Sequence, residues 1–421
     1  MKVGGEKTKN QGYKTESTVQ FTAEKIIENA FNLRATDIHI EPHEDFTLVR
    51  FRIHGTLKNF QKLPQNYAKK LAKHFKFIGN LDFSEKNFMQ TASIKHGKAR
   101  IRISITPTFI GEKITLRLLS TKSRIRTLQE VGLWGDNLRL VRQALNQPHG
   151  IIFTIGQGKN NTNFALLNEV LSDDKNIVTV ENHIEKSIPK INQTEVKSRI
   201  GVDYYIAAKA ALSQNPDIIL IDNLQDLKTA NLIFEASRSK LIIASLPVKK
   251  SSEVIPYLEF LGIPSFMIAT NILAIINQTL IRTVSQNAIE FRKINKTESK
   301  VLLNEFNTTI NTIHNLEKLA QKEFKNKKIH SSTESILEIS QVKEGLEESG
   351  YIGVTGIFEV ISLINNKLGN ELQNLIIHSA SPVEIEDLLK DNNFPTIKID
   401  GLIKSLQGQT SLKEIMRQTG Y

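Results

Sequence analysis

The sequence predicts an α/β protein with three parts: an N-terminal α+β domain, a parallel sheet covered by helices, and a small helical region at the C-terminus. Three observations lead to this prediction. Alternating apolar residues near the N-terminus indicate half-buried strands. Continuous apolar runs between helices in the middle of the chain indicate buried parallel strands. The C-terminal stretch returns to apolar residues at helical spacing, and no internal repeat is evident.

Composition narrows the class of protein. The 421 residues are 40% hydrophobic and 24% charged, which suits roughly two to four folded domains. The chain has no cysteine, so disulfides, thiolate zinc sites and a cysteine nucleophile are excluded. Its net charge is +11, and we interpret the surplus as spread along the chain, so nucleic acid is not the expected partner. Neither a membrane span nor a secretory signal is apparent, and a cytoplasmic location is expected.

The N-terminal α+β domain is expected over residues 19–122, after a flexible leader at residues 1–18. Apolar residues at helical spacing predict a first helix, and alternating runs on either side of a second helix predict two pairs of strands. In order, these elements are a helix at 19–33, strands within 36–53, a helix at 67–79 and strands within 99–119.

The second domain, residues 123–285, is organised around the stretch from Gly150 to Glu169. This stretch has a buried strand, a glycine turn and a helix, which is the order of a P-loop. Three further apolar strands follow, separated by helices, as a parallel sheet requires. The four strands are predicted at 151–155, 177–180, 217–221 and 241–245.

The glycine turn itself is about three residues shorter than the standard P-loop pattern of G-x-x-x-x-G-K-[ST]. Gly156 and Gly158 enclose only Gln157. Lys159 is kept and could meet a phosphate. Asn160 stands where a Ser or Thr hydroxyl would bind magnesium. The parts of a phosphate site are therefore in order, but the loop that should wrap the phosphate is short.

The last two segments differ in composition. Residues 286–348 are polar and rich in Lys, Asn and Glu, with helical patterns at 301–306 and 313–324. Residues 349–421 form the small helical region. After a unit at 351–363, its helices are predicted near 368–377, 382–389, 397–407 and 412–418.

From about Val19 to its end, the chain resembles the type II secretion and type IV pilus assembly ATPases, a branch of the RecA-like hexameric motors. The resemblance implies a PAS-like N-terminal domain, a RecA-like P-loop domain, a hexameric ring with ATP between domains and subunits, and an inner-membrane platform protein as partner. The chain would then work in the cytoplasm, peripheral to the inner membrane. The motifs that carry the resemblance are ATDIHIEP from Ala35, VRFRIHG from Val49, RISITPTFIGEKITLRLL from Arg102, QPHGIIFTIG from Gln147, VTVEN from Val178, QNPDIILIDNLQD from Gln214 and GYIGVTGIFEV from Gly350.

The resemblance also implies roles for individual residues. Arg102 and Arg117 match arginines that contact the phosphates, and Glu181 matches the acidic residue of the family's Asp box. Asp222 directly follows an apolar strand, where the Walker B aspartate of other P-loop proteins holds magnesium. The alternative is that Asp222 caps the strand end and binds no ligand. Glu181 could in principle act as the base.

The sequence departs from the family pattern mainly in the motifs that bind and hydrolyse ATP. The family's Walker B Gly-Glu is Asp222-Asn223 here, which removes the carboxylate thought to activate water. The His-box is replaced by residues 244–247, which lack the histidine, and the Pro-Gln-Asp-Gly-Arg loop is replaced by residues 89–93. Without cysteine there is no zinc module, and the polar segment 286–348 stands in its place. No metal-ligand spacing is present among the histidines.

These observations favour a degenerate motor homologue that does not hydrolyse ATP. It would serve as a structural or regulatory subunit of a homo- or hetero-hexamer, beside an active paralogue. The first alternative is a divergent but active ATPase, with Lys159, Asp222 and Glu181 as a minimal site for ATP and magnesium. The second is a DNA-uptake or nucleic-acid-binding adaptor. Binding of ATP and magnesium by this chain is therefore left open.

Overall fold

The computed structural model describes residues 9–97, 99–120, 124–293, 295, 338–346, 350–364 and 366–420. The chain divides into two compact units, Met1–Arg124 and Ile125–Tyr421. The predicted α/β fold is confirmed: the first unit combines helices with an antiparallel sheet, and the second contains a mostly parallel sheet followed by C-terminal helices.

The first unit is a six-stranded antiparallel sheet in the order β3-β2-β1-β6-β5-β4. Two of its strands, β3 and β4, were not predicted, because these edge strands carry mostly polar residues of intermediate or full exposure. Helix α1 also begins ten residues earlier than the predicted start at Val19. The helices are α1 (Lys9–Asn32) and α2 (Tyr67–Ile78), and the strands are β1 (Asp37–Pro42), β2 (Phe46–Ile53), β3 (Thr56–Pro64), β4 (Gln90–His96), β5 (Ala99–Pro107) and β6 (Glu112–Ser120).

The core of the first unit lies between the sheet and the two helices. Side chains alternate across a strand, so every second residue of the central strands faces the helices. Ile38, Phe51 and Leu116 are buried on this face and share a core with Leu71 and Phe75 of α2. Most of the residues that alternate with them, such as His39, Arg50 and Thr115, are polar or charged and lie on the opposite face.

The second unit contains a seven-stranded sheet in the order β15-β12-β7-β11-β10-β8-β9, in which β15 alone is antiparallel to its neighbour. The four predicted strands correspond to β7, β8, β10 and β11, and the four predicted C-terminal helices to α10–α13. The strands are β7 (Gly150–Gly156), β8 (Ile177–Glu181), β9 (Asn192–Glu195), β10 (Ile218–Ile221), β11 (Leu241–Ser245), β12 (Ile272–Val284), β13 (Ile289–Lys293), β14 (Glu338–Val342) and β15 (Tyr351–Ser362). The helices are α3 (Leu128–Val131), α4 (Gly135–Leu145), α5 (Lys159–Val170), α6 (Tyr204–Leu212), α7 (Leu227–Ala236), α8 (Val254–Phe260), α9 (Ser265–Asn271), α10 (Lys367–Ile377), α11 (Pro382–Asp391), α12 (Ile397–Leu406) and α13 (Leu412–Thr419).

Strand β12 positions the candidate site, although the sequence did not predict it as a strand. It runs parallel to β7 on one side and antiparallel to β15 on the other. Its register places Asn277 beside Ile155 and Gln278 beside Gly156. The polar residues that interrupt its apolar run therefore lie next to the glycine turn.

The polar segment 286–348 is described only in part. Strands β13 and β14 pair antiparallel as a separate two-stranded sheet. The helical patterns predicted at 301–306 and 313–324 lie outside the described residues.

Positive charge is concentrated in the first unit. Met1–Arg124 contains 23 Lys and Arg against 11 Asp and Glu, which leaves 32 against 33 for the rest of the chain. The interpretation that the surplus is spread along the chain is therefore wrong. Within the described ranges, no helix is long and apolar enough to cross a membrane.

Candidate functional site

The turn between β7 and α5 consists of Gly156, Gln157, Gly158 and the first helical residue, Lys159. Both glycines have positive φ, at 85° and 89°, a conformation that glycine adopts at little cost. Gly158 is the N-cap residue of α5 and provides no side-chain cap. The strand, the turn and the helix N-terminus thus follow one another as they do in a P-loop, over a shorter path.

This turn packs directly against β12. The backbone N–H of Gln157 donates to the carbonyl oxygen of Gln278 at 3.0 Å. A Cβ atom on Gly156 would lie 2.0 Å from that same oxygen, and one on Gly158 would lie 2.7 Å from Nε2 of Gln278. The neighbouring strand therefore fills the space on this side of the turn, and the Gln157 amide is used within the protein.

The ammonium of Lys159 is bonded to the protein's own backbone. Its Nζ donates to the carbonyl oxygen of Leu246, just beyond β11, at 2.8 Å. Burial lowers the pKa of Lys159, and the negative charge of Asp222 partly opposes that shift. An outer phosphate would have to compete with Leu246 for this lysine.

The first turn of α5 is tied to neighbouring strands by neutral polar side chains. Asn160, at the position predicted to lack the magnesium hydroxyl, is half-buried there. Two residues further on, the Thr162 hydroxyl donates to the side-chain oxygen of Gln278. Asn163 and Thr154 share a hydrogen bond of 2.8 Å, and Asn163 donates to Ser245 at 2.9 Å. The first turn of α5 is therefore braced by buried amides and hydroxyls.

Glu181 and Asp222 lie at the same edge of the sheet as the glycine turn, because β8 and β10 are parallel neighbours. One oxygen of Asp222 accepts from the Tyr204 hydroxyl at 2.5 Å, and the other accepts from the Asn182 N–H at 3.0 Å. Oε1 of Glu181 accepts from the hydroxyl of Thr179 at 2.6 Å, and also from a side-chain amide. Both carboxylates are thus held by donors from the protein.

The electrostatics of the two carboxyl groups are dominated by burial. Burial raises the pKa of Glu181, and hydrogen bonds from neighbouring side chains only partly offset it. Burial likewise raises the pKa of Asp222, against the hydrogen bond from Tyr204 and the positive charge of Lys159. Magnesium bound at Asp222 would share the two oxygens with the donors from Tyr204 and Asn182.

The predicted arginines lie in the first unit. Arg102 and Arg117 are directly opposite each other on β5 and β6. Nε of Arg117 lies 3.7 Å from Asp37, whose carboxylate is also 3.8 Å from Nε of Arg52. Like charges placed opposite each other destabilise a sheet. Arg52, Arg102 and Arg117 lie in one cross-strand row on one face of this sheet, and we call them the arginine row. The predicted contact of Arg102 and Arg117 with phosphates stays a prediction.

The structure therefore groups the predicted residues in two sets. Gly156, Gly158, Lys159 and Asn160 lie together in the second unit, at the edge that also holds Glu181 and Asp222, and the arginines belong to the first unit. Within the described part of the chain, no group of three or more His, Asp or Glu side chains could hold a metal ion.

Two residues that shape the site were not predicted from the sequence. Gln278 contacts the glycine turn with both its backbone and its side chain, and its only signal was that it interrupts an apolar run. Tyr204 donates to Asp222 across 18 positions of sequence, and nothing in the local pattern marks it.

The comparisons with known proteins agree on a family. The family model described as "Type II/IV secretion system protein" matches residues 13–417. The type IV pilus assembly ATPase PilB of Thermus thermophilus is 29% identical over 412 residues, which cover 96% of this chain and 43% of that protein. The type II secretion system protein E of Aeromonas hydrophila is 30% identical over 403 residues, which cover 94% of this chain and 74% of that protein. The chain thus spans less than half the length of the first relative.

Solved structures support the same fold. The Legionella pneumophila ATPase DotB aligns with a TM-score of 0.63 at 16% identity and covers 94% of this chain and 95% of its own. The pilus retraction motor PilT with bound ADP aligns with a TM-score of 0.57 at 19% identity and covers 93% of this chain and 95% of its own. At these identities the likeness concerns the fold alone. Because the family model covers nearly the whole sequence, we conclude that this chain belongs to the type II/IV secretion system protein family, which includes the type II secretion and type IV pilus assembly ATPases.

Proposed function

We propose that this chain is a non-hydrolysing subunit, structural or regulatory, of a ring-shaped secretion or pilus assembly motor. The observation that carries the proposal is the turn from Gly156 to Lys159, in which a backbone amide and the lysine are both bonded to other parts of the chain. Family membership supports the ring scaffold. The local geometry supports the loss of catalysis.

The turn offers few free hydrogen-bond donors to a triphosphate. Phosphoryl transfer depends on positioning and on charge neutralisation, and a P-loop supplies both through backbone N–H groups that surround the β-phosphate. Here Gln157 is the only residue between the two glycines, and its N–H is bonded to Gln278. Lys159 would have to leave the Leu246 carbonyl to reach an outer phosphate.

The catalytic carboxylate is also missing from its expected place. Asn223 stands where the family has the Walker B glutamate, and loss of a general base typically lowers a rate by about 10²–10⁴. Glu181 is the remaining candidate base, but its side chain is buried and one of its oxygens, Oε1, already accepts two hydrogen bonds. The short turn and the missing base should both lower the rate of ATP hydrolysis, because each removes stabilisation of the same transition state.

We propose that Arg102 and Arg117 contact the nucleotide of a neighbouring subunit. In the proposed hexamer, an active relative binds ATP and magnesium, and the arginine row of this chain supplies positive charge to that nucleotide. The ring would act in the cytoplasm against an inner-membrane platform protein. In this arrangement the chain keeps an electrostatic function without a catalytic site of its own.

The test compares ATP turnover by the purified chain and by its Lys159→Met variant, each alone and mixed with an active pilus assembly ATPase. We expect equal and negligible turnover from the two proteins alone. In the mixture, we expect wild type and Lys159→Met to change the partner's turnover equally, and Arg117→Gln to remove that effect. Magnesium-dependent turnover by the chain alone that disappears in Lys159→Met would contradict the proposal.

Two other functions have one supporting observation each. A divergent active ATPase is favoured by the closeness of Lys159 and Asp222, whose charges influence each other's pKa; it requires saturable binding of Mg-ATP in a calorimetric titration. A nucleic-acid adaptor is favoured by the concentration of positive charge in the first unit. It requires steeply salt-dependent binding to random duplex DNA.

A further inference from the structure

One end of the first unit presents six large apolar side chains to solvent. They come from three segments: the last turn of α2, the loop at residues 79–89, and the turn between β5 and β6. We call this group the apolar tip. Its members and their exposed fractions are Phe77 (72%), Phe83 (52%), Phe88 (73%), Met89 (55%), Phe109 (102%) and Ile110 (43%).

A buried lysine holds the three segments together. Lys76, in the last turn of α2, is 1% exposed. Its Nζ donates to the carbonyl oxygen of Glu85 in the loop at 2.6 Å and lies 2.7 Å from the carboxylate of Glu112, next to the β5–β6 turn. A buried ammonium is stable only when it is paired in this way. The apolar tip is therefore a built surface rather than three unrelated exposed segments.

The loop itself is also ordered by its own polar groups. Asp82 accepts from the N–H and the hydroxyl of Ser84, and one oxygen of Glu85 accepts from the N–H of Phe88. The Gln90 side chain bonds to both the N–H and the carbonyl of Asp82. The phenylalanines of the loop are thus exposed on a backbone that is internally hydrogen-bonded.

Lysines accompany the apolar tip. Lys69, Lys73 and Phe77 are spaced by four residues along α2, so they follow one stripe of the helix, and both lysines are exposed. Lys86 is exposed between Phe83 and Phe88. Among the negative groups at this end, Glu112 pairs with Lys76 and the carboxylates of the loop bond to backbone amides, whereas Glu44 and Asp45 of the β1–β2 turn are exposed.

Apolar side chains on separate projecting turns, accompanied by lysines, match the chemistry of an anionic bilayer surface. The aromatic groups can enter the boundary of the acyl chains while the ammonium groups meet lipid phosphates. Contiguous exposed apolar groups are rare on soluble monomers and mark an interaction site. A second copy of the chain is a weaker match, because the charge of its second unit is nearly balanced, with 32 Lys and Arg against 33 Asp and Glu.

We propose that the apolar tip docks the chain on a membrane of anionic phospholipid, with Phe88 and Phe109 inserted and Lys73 and Lys86 at the headgroups. This inference does not depend on whether the chain binds or hydrolyses ATP.

The experiment is co-sedimentation of the full chain with vesicles that contain phosphatidylglycerol and with vesicles of phosphatidylcholine alone. We expect wild type to bind the anionic vesicles. Phe88→Ser with Phe109→Ser should weaken that binding by about tenfold for each phenylalanine. The matched control is Phe260→Ser, since Phe260 is 84% exposed but lies in the second unit; it should bind as wild type.

A second pair of variants tests the charge. Lys73→Gln with Lys86→Gln should weaken binding to anionic vesicles by about fivefold per lysine, and added salt should reproduce the loss. Equal binding by wild type and by the double serine variant would overturn the proposal, as would failure of wild type to bind either vesicle. If light scattering shows that the double serine variant loses self-association while vesicle binding is absent, the tip contacts a second copy instead.

Discussion

Replacing Lys159 with methionine separates a structural role for this residue from a nucleotide-binding role. Methionine retains much of the length and volume of lysine and removes the ammonium. In a working P-loop the lysine reaches the outer phosphates, so the substitution should abolish turnover. In this chain it should instead remove the hydrogen bond to the Leu246 carbonyl and the charge near Asp222.

The size of the effect follows from the contacts. A hydrogen bond that involves a charged group contributes about 1.5–3 kcal/mol. Burial of the charged ammonium costs free energy, as the lowered pKa of Lys159 indicates. The substitution removes this desolvation cost together with the hydrogen bond, so the two effects partly cancel. We therefore expect a net loss of about 1 kcal/mol, which lowers Tm by about 2–4 °C in a domain of this size.

The assay is thermal unfolding of wild type and Lys159→Met, with and without Mg-ATP. A bound ligand at about 100 times its Kd stabilises the folded state by about 2.7 kcal/mol, so binding would be visible as a rise in Tm. We expect no such rise in either protein. Lys228→Met is the control, because Lys228 is an exposed helical lysine of the same unit. A rise in wild type that is absent from Lys159→Met would refute the reasoning.

Three further predictions concern stability, measured by urea unfolding. Burial alone would raise the pKa of Glu41, but hydrogen bonds from basic neighbours lower it to about 2. A carboxyl group with a depressed pKa stabilises the fold above its unfolded pKa, so the free energy of unfolding should fall between about pH 4.5 and 2, by about 1–2 kcal/mol after allowance for solvent screening. Glu41→Gln should remove this pH dependence. Gly156→Ala should cost at least about 2 kcal/mol, because φ is positive and the new Cβ would clash with Gln278; an unchanged midpoint would contradict the packing of the turn. Lys404→Met should cost about 3–5 kcal/mol, since it leaves the fully buried Asp400 carboxylate unpaired, whereas a loss below about 1 kcal/mol would show that the pair is not stabilising.

The sheet of the second unit was predictable where the strands are uniformly apolar. Strands β7, β8, β10 and β11 are buried on both faces, which gives the continuous apolar runs from which they were identified. Strand β12 escaped prediction because Asn277, Gln278 and Thr279 interrupt its apolar run. Two of those residues lie beside the glycine turn. Their polarity suits that position in the folded chain, but it breaks the apolar pattern by which a buried strand is recognised.

The grouping of Lys159 with Asp222 was predictable, but their hydrogen-bond partners were not. Parallel strands bring their carboxyl ends to one edge of a sheet, so residues that follow such strands are expected to lie near one another. Lys159 and Gln157 donate to backbone carbonyl oxygens. Every residue has such a carbonyl, so the sequence does not indicate which one will be the acceptor. The apolar tip was missed for a related reason, since a phenylalanine in a sequence gives no sign of whether it is buried or exposed.

Isothermal titration of Mg-ATP into the purified full chain tests the central claim most directly, because it measures whether the turn at Gly156–Lys159 holds a triphosphate. We predict no saturable heat at ATP concentrations up to about 1 mM, the upper end of ordinary enzyme affinities for substrate. Saturable binding of one nucleotide per chain that is lost in Lys159→Met would contradict the claim and identify the chain as a motor with its own nucleotide site.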